Sequence, residues 1–571
     1  MNALFSNPIF GKPVVNLVML AVLLAALFGL GLGERPYSTP SESRYIEIGR
    51  EMAESGDFVT PRLDYVKYFE KPPLFYWIQA EMTKHFELDA FAVRVPTALF
   101  AIAFCLLTYA LGELLYGRLA GWLGALTLAT SLYMFALSRV VLVDVPVSVF
   151  LVATLYFFLY AVRAPDGRCR TVALYAMYVA AACAVLTKGL IGAVLPGIIV
   201  FIWLALTRNW KILSTFRLPG GLALFLLIAV PWHILVSLRN PEFPHFYFIH
   251  EHLERYLTKA HGRYQPDWFF LVVFAAGLFP WTMFTPQALH SGLRGFWNAR
   301  FRDGSQLFLL IWGVFILFFF SLSDSKLIPY ILPIFPPVGV FMGRYFADAW
   351  QEKPVEYFRT GLVFMVLLLL AMTVAPTVMP RIFDQDSKVM EAVTQAKDDI
   401  DNLSILSIIA AGALLITCIQ GQKRHLIVCL IVVAATIMQA GDRVAQHYNK
   451  DSMADIVGAI KFLGKPGDEV VAYDEYYQDL PVYLGRKVTV VGWGKTELNF
   501  GASHENTSAW MIDNDEFWRR WLKNDHLMFA VMRDDVYKSV IQGKKPEDFH
   551  LYDVTHAGRN ILLTNQISKA R

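Results

Sequence analysis

The chain has 571 residues, of which 56% are hydrophobic and only 17% charged, with a net charge of +3 and a mean hydropathy of +0.43. Soluble proteins carry about 25% charged and about 45–50% apolar residues, so a purely soluble globular protein is excluded and a membrane protein is expected. There is no basic tail or basic domain, which argues against nucleic acid as a partner, and the five cysteines show neither metal-site spacing nor a disulfide framework.

A spanning helix needs roughly 20 mostly apolar residues, and about thirteen such runs occur. They centre near residues 23, 103, 128, 152, 179, 198, 229, 277, 314, 336, 370, 411 and 432. The first, about residues 13 to 33, is long and lacks an A-x-A cleavage site, so it reads as a retained first span rather than a signal peptide.

Orientation follows from the connecting loops. With a cytoplasmic N-terminus, the loop around Arg118, then RAPDGRCR, RNWKILSTFR, RGFWNARFR, the stretch from Arg344 to Arg359 and QKRH all fall on one side, and all carry Lys or Arg, as cytoplasmic loops do. Residues 34–73, 239–267, 322–326 and 380–403, with everything after about 441, then lie outside.

This divides the chain into a transmembrane domain, 1–441, whose long outer loops are 34–73 and 239–267, and an outer domain, 442–571. In the second part the composition turns soluble. A helical stretch SMADIVGAIKFLG, strand-like DEVVAYDEY and KVTVVGW, an amphipathic NDEFWRRWL, and strand-like HLMFAVM and NILLTNQ predict a small α/β layer. It holds no nucleotide-binding glycine fingerprint.

The first outer loop contains SRYIEIGREMAESG, with helix periodicity, and KPPLFYWI, an aromatic belt entering the membrane. Read alone it is an interfacial connector. Its company says more: Glu42, Glu70 and Lys71, Asp144 at the head of the next span but two, and Lys188 in LTKGL all fall at an outer-side boundary. Ionisable groups at the hydrocarbon edge are costly unless paired or wet, so a set on one side predicts a shared polar cavity. For Asp144 the plain alternative is a helix N-terminal carboxylate favoured by the macrodipole.

Downstream, NPEFPHFYFIHEHLERYLTKAHGRYQPDW interleaves His245, His250, His252 and His261 with aromatics. Most of these histidines read as surface or interfacial. Arg255 is the better candidate, because guanidinium suits a phosphate at a bilayer surface. SDSKLIPYILPIFPP then opens a span with Lys326 and Tyr330 about one helical turn apart, either a kinked span with a snorkelling lysine or a donor pair facing the outer cavity.

These blocks together resemble the integral-membrane GT-C glycosyltransferases, and within them the lipid A 4-amino-4-deoxy-L-arabinose transferases (ArnT type), relatives of the protein O-mannosyltransferases. The matching stretches are SESRYIEIGREMAESGDFVTPRL, YFEKPPLFYW, VDVP at Asp144, LTKG, HLERYLT with His250 before it, and SKLIPYILPIFPP, in order over about the first 340 residues. The resemblance implies about thirteen transmembrane helices and a periplasmic C-terminal α/β domain. It also implies transfer of a sugar from a polyprenyl phosphate, usually undecaprenyl phosphate, at the outer face of the bacterial inner membrane.

By the same resemblance, Lys71, Arg255 and Tyr330 hold the donor phosphate, and Glu70 with His250 hold a divalent cation, Zn or Mg. Glu42 and Asp144 are the catalytic candidates, and Ser41, Arg44, Lys188 and Lys326 are further cavity residues. The expected partners are a polyprenyl-phosphate-linked sugar donor, lipid A or another periplasmic acceptor, and membrane lipids.

One departure stands out: where the family's first loop carries an Asp-Glu pair, this chain has Ser41 and Glu42. A hydroxyl acceptor needs proton removal, whereas a phosphate monoester is largely ionised near pH 7 and already nucleophilic. The substitution therefore favours a lipid A phosphate acceptor, whose oxygen attacks the anomeric carbon by direct displacement with inversion, over protein O-glycosylation. It also leaves room for a non-catalytic relative. A transporter or scramblase is the reading from another class, disfavoured because the charges cluster at one face rather than near the midplane.

Overall fold

The computed structural model describes residues 13–566, apart from 87, 255–263, 295, 301–302, 356, 383–393, 448–451 and 543–548. A helix stands at each of the thirteen apolar runs, and together they make a multi-pass α-helical membrane protein. Among the described residues, six helices are long and apolar enough to cross a membrane: Ala90–Tyr116, Asp144–Arg163, Arg168–Lys188, Leu218–Arg239, Lys397–Ile419 and Lys423–Gln446. A seventh candidate is the pair Phe269–Gly277 and Trp281–Leu293, bent by 101° where Pro280 interrupts the chain. Val14–Gly29, Ile191–Thr207, Ser305–Ser321 and Phe358–Val374 are apolar but shorter.

Small residues set how closely these helices pack, since in lipid close backbone approach replaces the hydrophobic drive. Helix Arg118–Ala129 sits between Ala90–Tyr116 and Phe335–Trp350 through glycines. A Cβ on Gly121 would lie 2.5 Å from the Tyr109 carbonyl oxygen, and one on Gly343 would lie 2.1 Å from that of Ala120. Asp89 starts the longest of the three helices by accepting a hydrogen bond from the Ala92 N–H at 2.8 Å.

The loop 34–73, the outer loop of the expected topology, is ordered by its own helix, Ser41–Ser55, and by a short antiparallel hairpin, β1 (Arg62–Leu63) with β2 (Val66–Lys67). After the last apolar helix the chain forms a mixed sheet of six strands: β3 (Glu469–Tyr473), β4 (Thr489–Val491), β5 (Met511–Ile512), β6 (Met528–Arg533), β7 (Tyr552–Ala557) and β8 (Asn560–Thr564). The order is β5-β4-β3-β6-β8-β7. β3 to β6 run parallel, and β8 and β7 close one edge antiparallel. The parallel strands are apolar on both faces, as a sheet covered on both sides requires.

The outer loop and this sheet share one hydrophobic core. Ile46, Ile48, Met52 and Tyr76 pack with Ile456, Leu480, Val488 and Leu562. Polar contacts reinforce it: Asp64 accepts from the Val488 N–H at 2.9 Å, and Arg62 meets Glu505 at 2.8 Å.

Candidate functional site

A cavity of about 320 Å³ opens where the outer loop, the helices ending at Lys188 and beginning at Ile191, and the segment 319–330 converge. Its polar end carries Glu70, Lys71, Lys188, Glu251, Ser323, Ser325 and Tyr330. Its wall is apolar, built from Leu190, Ile191, Val194, Leu195, Phe319 and Phe320.

Lys71 lies at the polar end because the Glu70–Pro73 segment turns the chain from the loop into helix Leu74–Phe86. Its ammonium donates to the Glu70 carbonyl at 2.6 Å, and lies 3.4 Å from Glu251 Oε2 and 4.0 Å from Glu70 Oε2. Lys188, in the last turn of its helix, is ion-paired with Asp144 in the first turn of the neighbouring one. The same ammonium sits 4.3 Å from the centroid of the Tyr330 ring, a favourable cation-π distance. Tyr330 in turn rests on Phe320, with ring centroids 5.2 Å apart. Two lysines, two carboxylates and a phenol thus face one small volume, and the Ser325 hydroxyl is buried there without a hydrogen-bond partner among the described residues.

Other expected residues lie elsewhere. Glu42 is fully buried, and its carboxylate takes two hydrogen bonds from Arg94 at 2.8 and 3.0 Å, one from the Ser38 N–H and one from the Val141 N–H. It ties the loop to helix Ala90–Tyr116 and does not line the cavity, and neither does Ser41 just before it. Lys326 turns away, donating to the Gln265 carbonyl at 2.9 Å and approaching Asp267 at 3.7 Å. Arg255 lies outside the described residues.

The expected cation pair gains no third ligand among the described residues. The His250 ring stacks on Phe246 at 5.2 Å, and Phe246 stacks on Phe500 of the C-terminal region at 3.9 Å. Among the described residues no three His, Cys, Asp or Glu side chains are grouped to hold a metal ion. The Lys71 ammonium itself stands between the carboxylates of Glu70 and Glu251, so the donors present do not fit a divalent ion.

Arg44 is reached from the other domain. It pairs with Glu497 and lies 6.0 Å from the centre of the Tyr68 ring. Burial pushes the Glu497 carboxyl above its ordinary pKa, against the pull of Arg44. Burial works to lower the Arg44 pKa, but Tyr68, Glu497 and Glu70 together hold it above its usual value.

Sequence reasoning missed Glu251, Arg94 and Glu497. Glu251 had a signal, an acid beside His250 in an aromatic outer loop. The other two gave none, because their partners lie 52 and 453 positions away in the chain (94 − 42 and 497 − 44).

Comparison with known proteins gives a consistent picture. Residues 17–247 match the family model of dolichyl-phosphate-mannose-protein mannosyltransferase, and residues 456–557 match that of the aminoarabinose transferase C-terminal domain. The undecaprenyl phosphate-alpha-4-amino-4-deoxy-L-arabinose arabinosyl transferase of Yersinia enterocolitica is 29% identical over 361 residues, 62% of this chain and 64% of that protein. A second such transferase, from Sodalis glossinidius, is 33% identical over 59% of this chain and 60% of its own length. The chain therefore spans a little under two thirds of the length of these curated relatives.

The structural likeness runs end to end. The crystal structure of ArnT from Cupriavidus metallidurans bound to undecaprenyl phosphate superposes with a TM-score of 0.83 at 26% identity, covering 98% of this chain and 99% of that one. Its apo form gives 0.80 at 27%, with 96% and 97% covered.

Proposed function

Because the chain belongs to the ArnT-type family of GT-C membrane glycosyltransferases, we propose that it moves an aminoarabinose-class sugar from undecaprenyl phosphate to a lipid A phosphate. The reaction takes place at the periplasmic face of the bacterial inner membrane. In this reading residues 1–441 form the catalytic membrane domain and 442–571 a periplasmic domain, with the Lys- and Arg-bearing loops in the cytoplasm.

The observation that carries the reading is the two-part cavity. A polar end carrying two lysines beside an apolar wall suits a phosphate attached to a long isoprenoid. Lys71, Lys188 and the Tyr330 hydroxyl, with Arg255 four positions after Glu251 in the sequence, stabilise the charge that the leaving phosphate gains. Asp144 holds Lys188 toward Tyr330.

A lipid A phosphate oxygen attacks the anomeric carbon as the bond from that carbon to the donor phosphate oxygen breaks, inverting the configuration and releasing undecaprenyl phosphate. A phosphate nucleophile needs positioning rather than a base. That agrees with Ser41 where a carboxylate is usual, and with a Glu42 whose oxygens are taken up by Arg94 and backbone N–H groups.

Protein O-glycosylation is the second reading, favoured by the mannosyltransferase family model over 17–247. Mass spectrometry of lipid A from cells with and without the gene decides between them. Loss of a phosphate-linked pentosamine mass in the deletion supports the proposal, and an unchanged profile overturns it in favour of a protein acceptor.

A further inference from the structure

In an open parallel sheet, ligands bind outside the carboxyl ends of the strands, at the point where the strand order reverses. In the C-terminal sheet β3, β4 and β5 step outward in one direction, and β6 then returns to the other side of β3. The reversal lies between β3 and β6, and a crevice of about 790 Å³ opens there, within the usual size of a small-molecule site.

All four parallel strands contribute their carboxyl ends to it. Tyr473 ends β3 and Asp474 follows it, Gly492, Trp493 and Lys495 follow β4, and Asp513 and Asn514 follow β5. Asp535 and Ser539 come from the segment after β6. The first two turns press together: Asp474 has φ of +57° and Gly492 of +76°, and a Cβ on Gly492 would meet Asp474 Oδ1 at 2.9 Å. Only glycine suits that spot, and the close approach places the indole-bearing turn beside the Asp474 carboxylate.

The chemistry of the lining is specific. An indole offers a flat apolar face with a polar edge. Carboxylates accept hydrogen bonds only, while an amide and a hydroxyl both accept and donate. That combination suits a ring with one apolar face and several hydroxyls at its rim. Three aspartates line it; Lys495 lies 3.0 Å from Asp474 and Arg533 pairs with Asp535 at 2.8 Å, which leaves the crevice acidic by one charge.

We propose that this crevice is a saccharide-binding site, with a preference for amino sugars over neutral ones and for neutral ones over uronic acids. It is separate from the cavity of Lys71 and Tyr330 and does not depend on the transfer reaction.

The test is saturation-transfer difference NMR on the full-length protein in detergent, with D-glucosamine, D-glucose and D-glucuronate as probes. Transfer is expected to glucosamine, with affinity falling about two- to fivefold at each step to glucose and glucuronate, the size of an exposed charge contact. Trp493→Ala removes the platform and abolishes transfer, and Ser539→Trp, at an exposed position, fills the crevice to the same effect without touching the core. Lys71→Ala, in the other cavity, retains it. Absence of transfer to all three sugars, a preference for glucuronate, transfer that survives both crevice variants, or loss of transfer in Lys71→Ala would each overturn the proposal.

Discussion

Replacing Glu42 by alanine would leave the Arg94 guanidinium fully buried with three backbone carbonyls, those of Leu32, Arg35 and Pro36, and no counter-charge. Breaking one side of such a buried pair costs about 3–5 kcal/mol, and the Ser38 and Val141 N–H groups lose their acceptor as well. Glu42→Gln keeps the shape and part of the hydrogen bonding, and is expected to cost about half as much. The double change Glu42→Gln with Arg94→Met removes both charges, and is expected to recover most of the loss, because neither partner is left unpaired.

The readout is unfolding of the detergent-solubilised protein on titration with a denaturing surfactant, beside turnover of the fraction that stays folded. If Glu42→Ala costs under about 1 kcal/mol while turnover by the folded fraction falls about 100-fold, Glu42 acts on the substrate and the structural reasoning fails.

Lys71→Ala is expected to lower kcat/KM by about 100-fold, with Lys71→Arg recovering part of it, since one donor on a developing anion is worth roughly that factor; single-turnover kinetics with a polyprenyl-phosphate sugar check it. Asp144→Asn frees Lys188 from its partner and should cost about tenfold in the same assay, with no change in protein yield. Arg44→Ala strands the buried Glu497 carboxyl and should destabilise the protein by about 2–3 kcal/mol, a loss that Glu497→Gln in the same chain largely reverses. Burial raises the Asp64 carboxyl to about 8 from an ordinary 3.8, with Glu47 adding to the rise and Arg50, Lys487 and the Val488 N–H opposing it. Its folded pKa lies above the unfolded one, so the loop contact is strongest below about pH 4 and weakens as pH rises through about 8. Between pH 6 and pH 8 the expected loss is on the order of 2 kcal/mol, visible as faster proteolysis of the loop at pH 8 and absent in Asp64→Asn.

The apolar runs were legible because long nonpolar stretches mark membrane helices, although only six of the described helices are long and apolar enough to cross alone. Lys71, Lys188 and Tyr330 were legible for a related reason: a charge or phenol at the end of such a run has few places to go, and these three go to one cavity. Glu42 and Lys326 had the same local appearance and went elsewhere. Arg94 captured the first, and the Gln265 carbonyl with Asp267 the second. No property of positions 42 or 326 distinguishes a residue facing a cavity from one facing a distant partner. The α/β character of the C-terminal part was readable from its alternating segments. The crossover that returns β6 beside β3 was not, because strand order is set by packing between segments rather than within them.

The core shared by the outer loop and the C-terminal sheet also fixes an order of assembly. Residues 34–73 leave the ribosome roughly 370 residues before the C-terminal part of that core, an interval of about 20–70 s at bacterial and eukaryotic synthesis rates. Throughout it Ile46, Ile48, Met52 and Tyr76 lack the part of their core that Ile456, Leu480, Val488 and Leu562 supply. The nascent chain is thus an unfinished protein with one apolar face only partly covered, and a chain cut before 442 is expected to remain in that state and be cleared by proteases. The last domain synthesised is the one that completes the first loop.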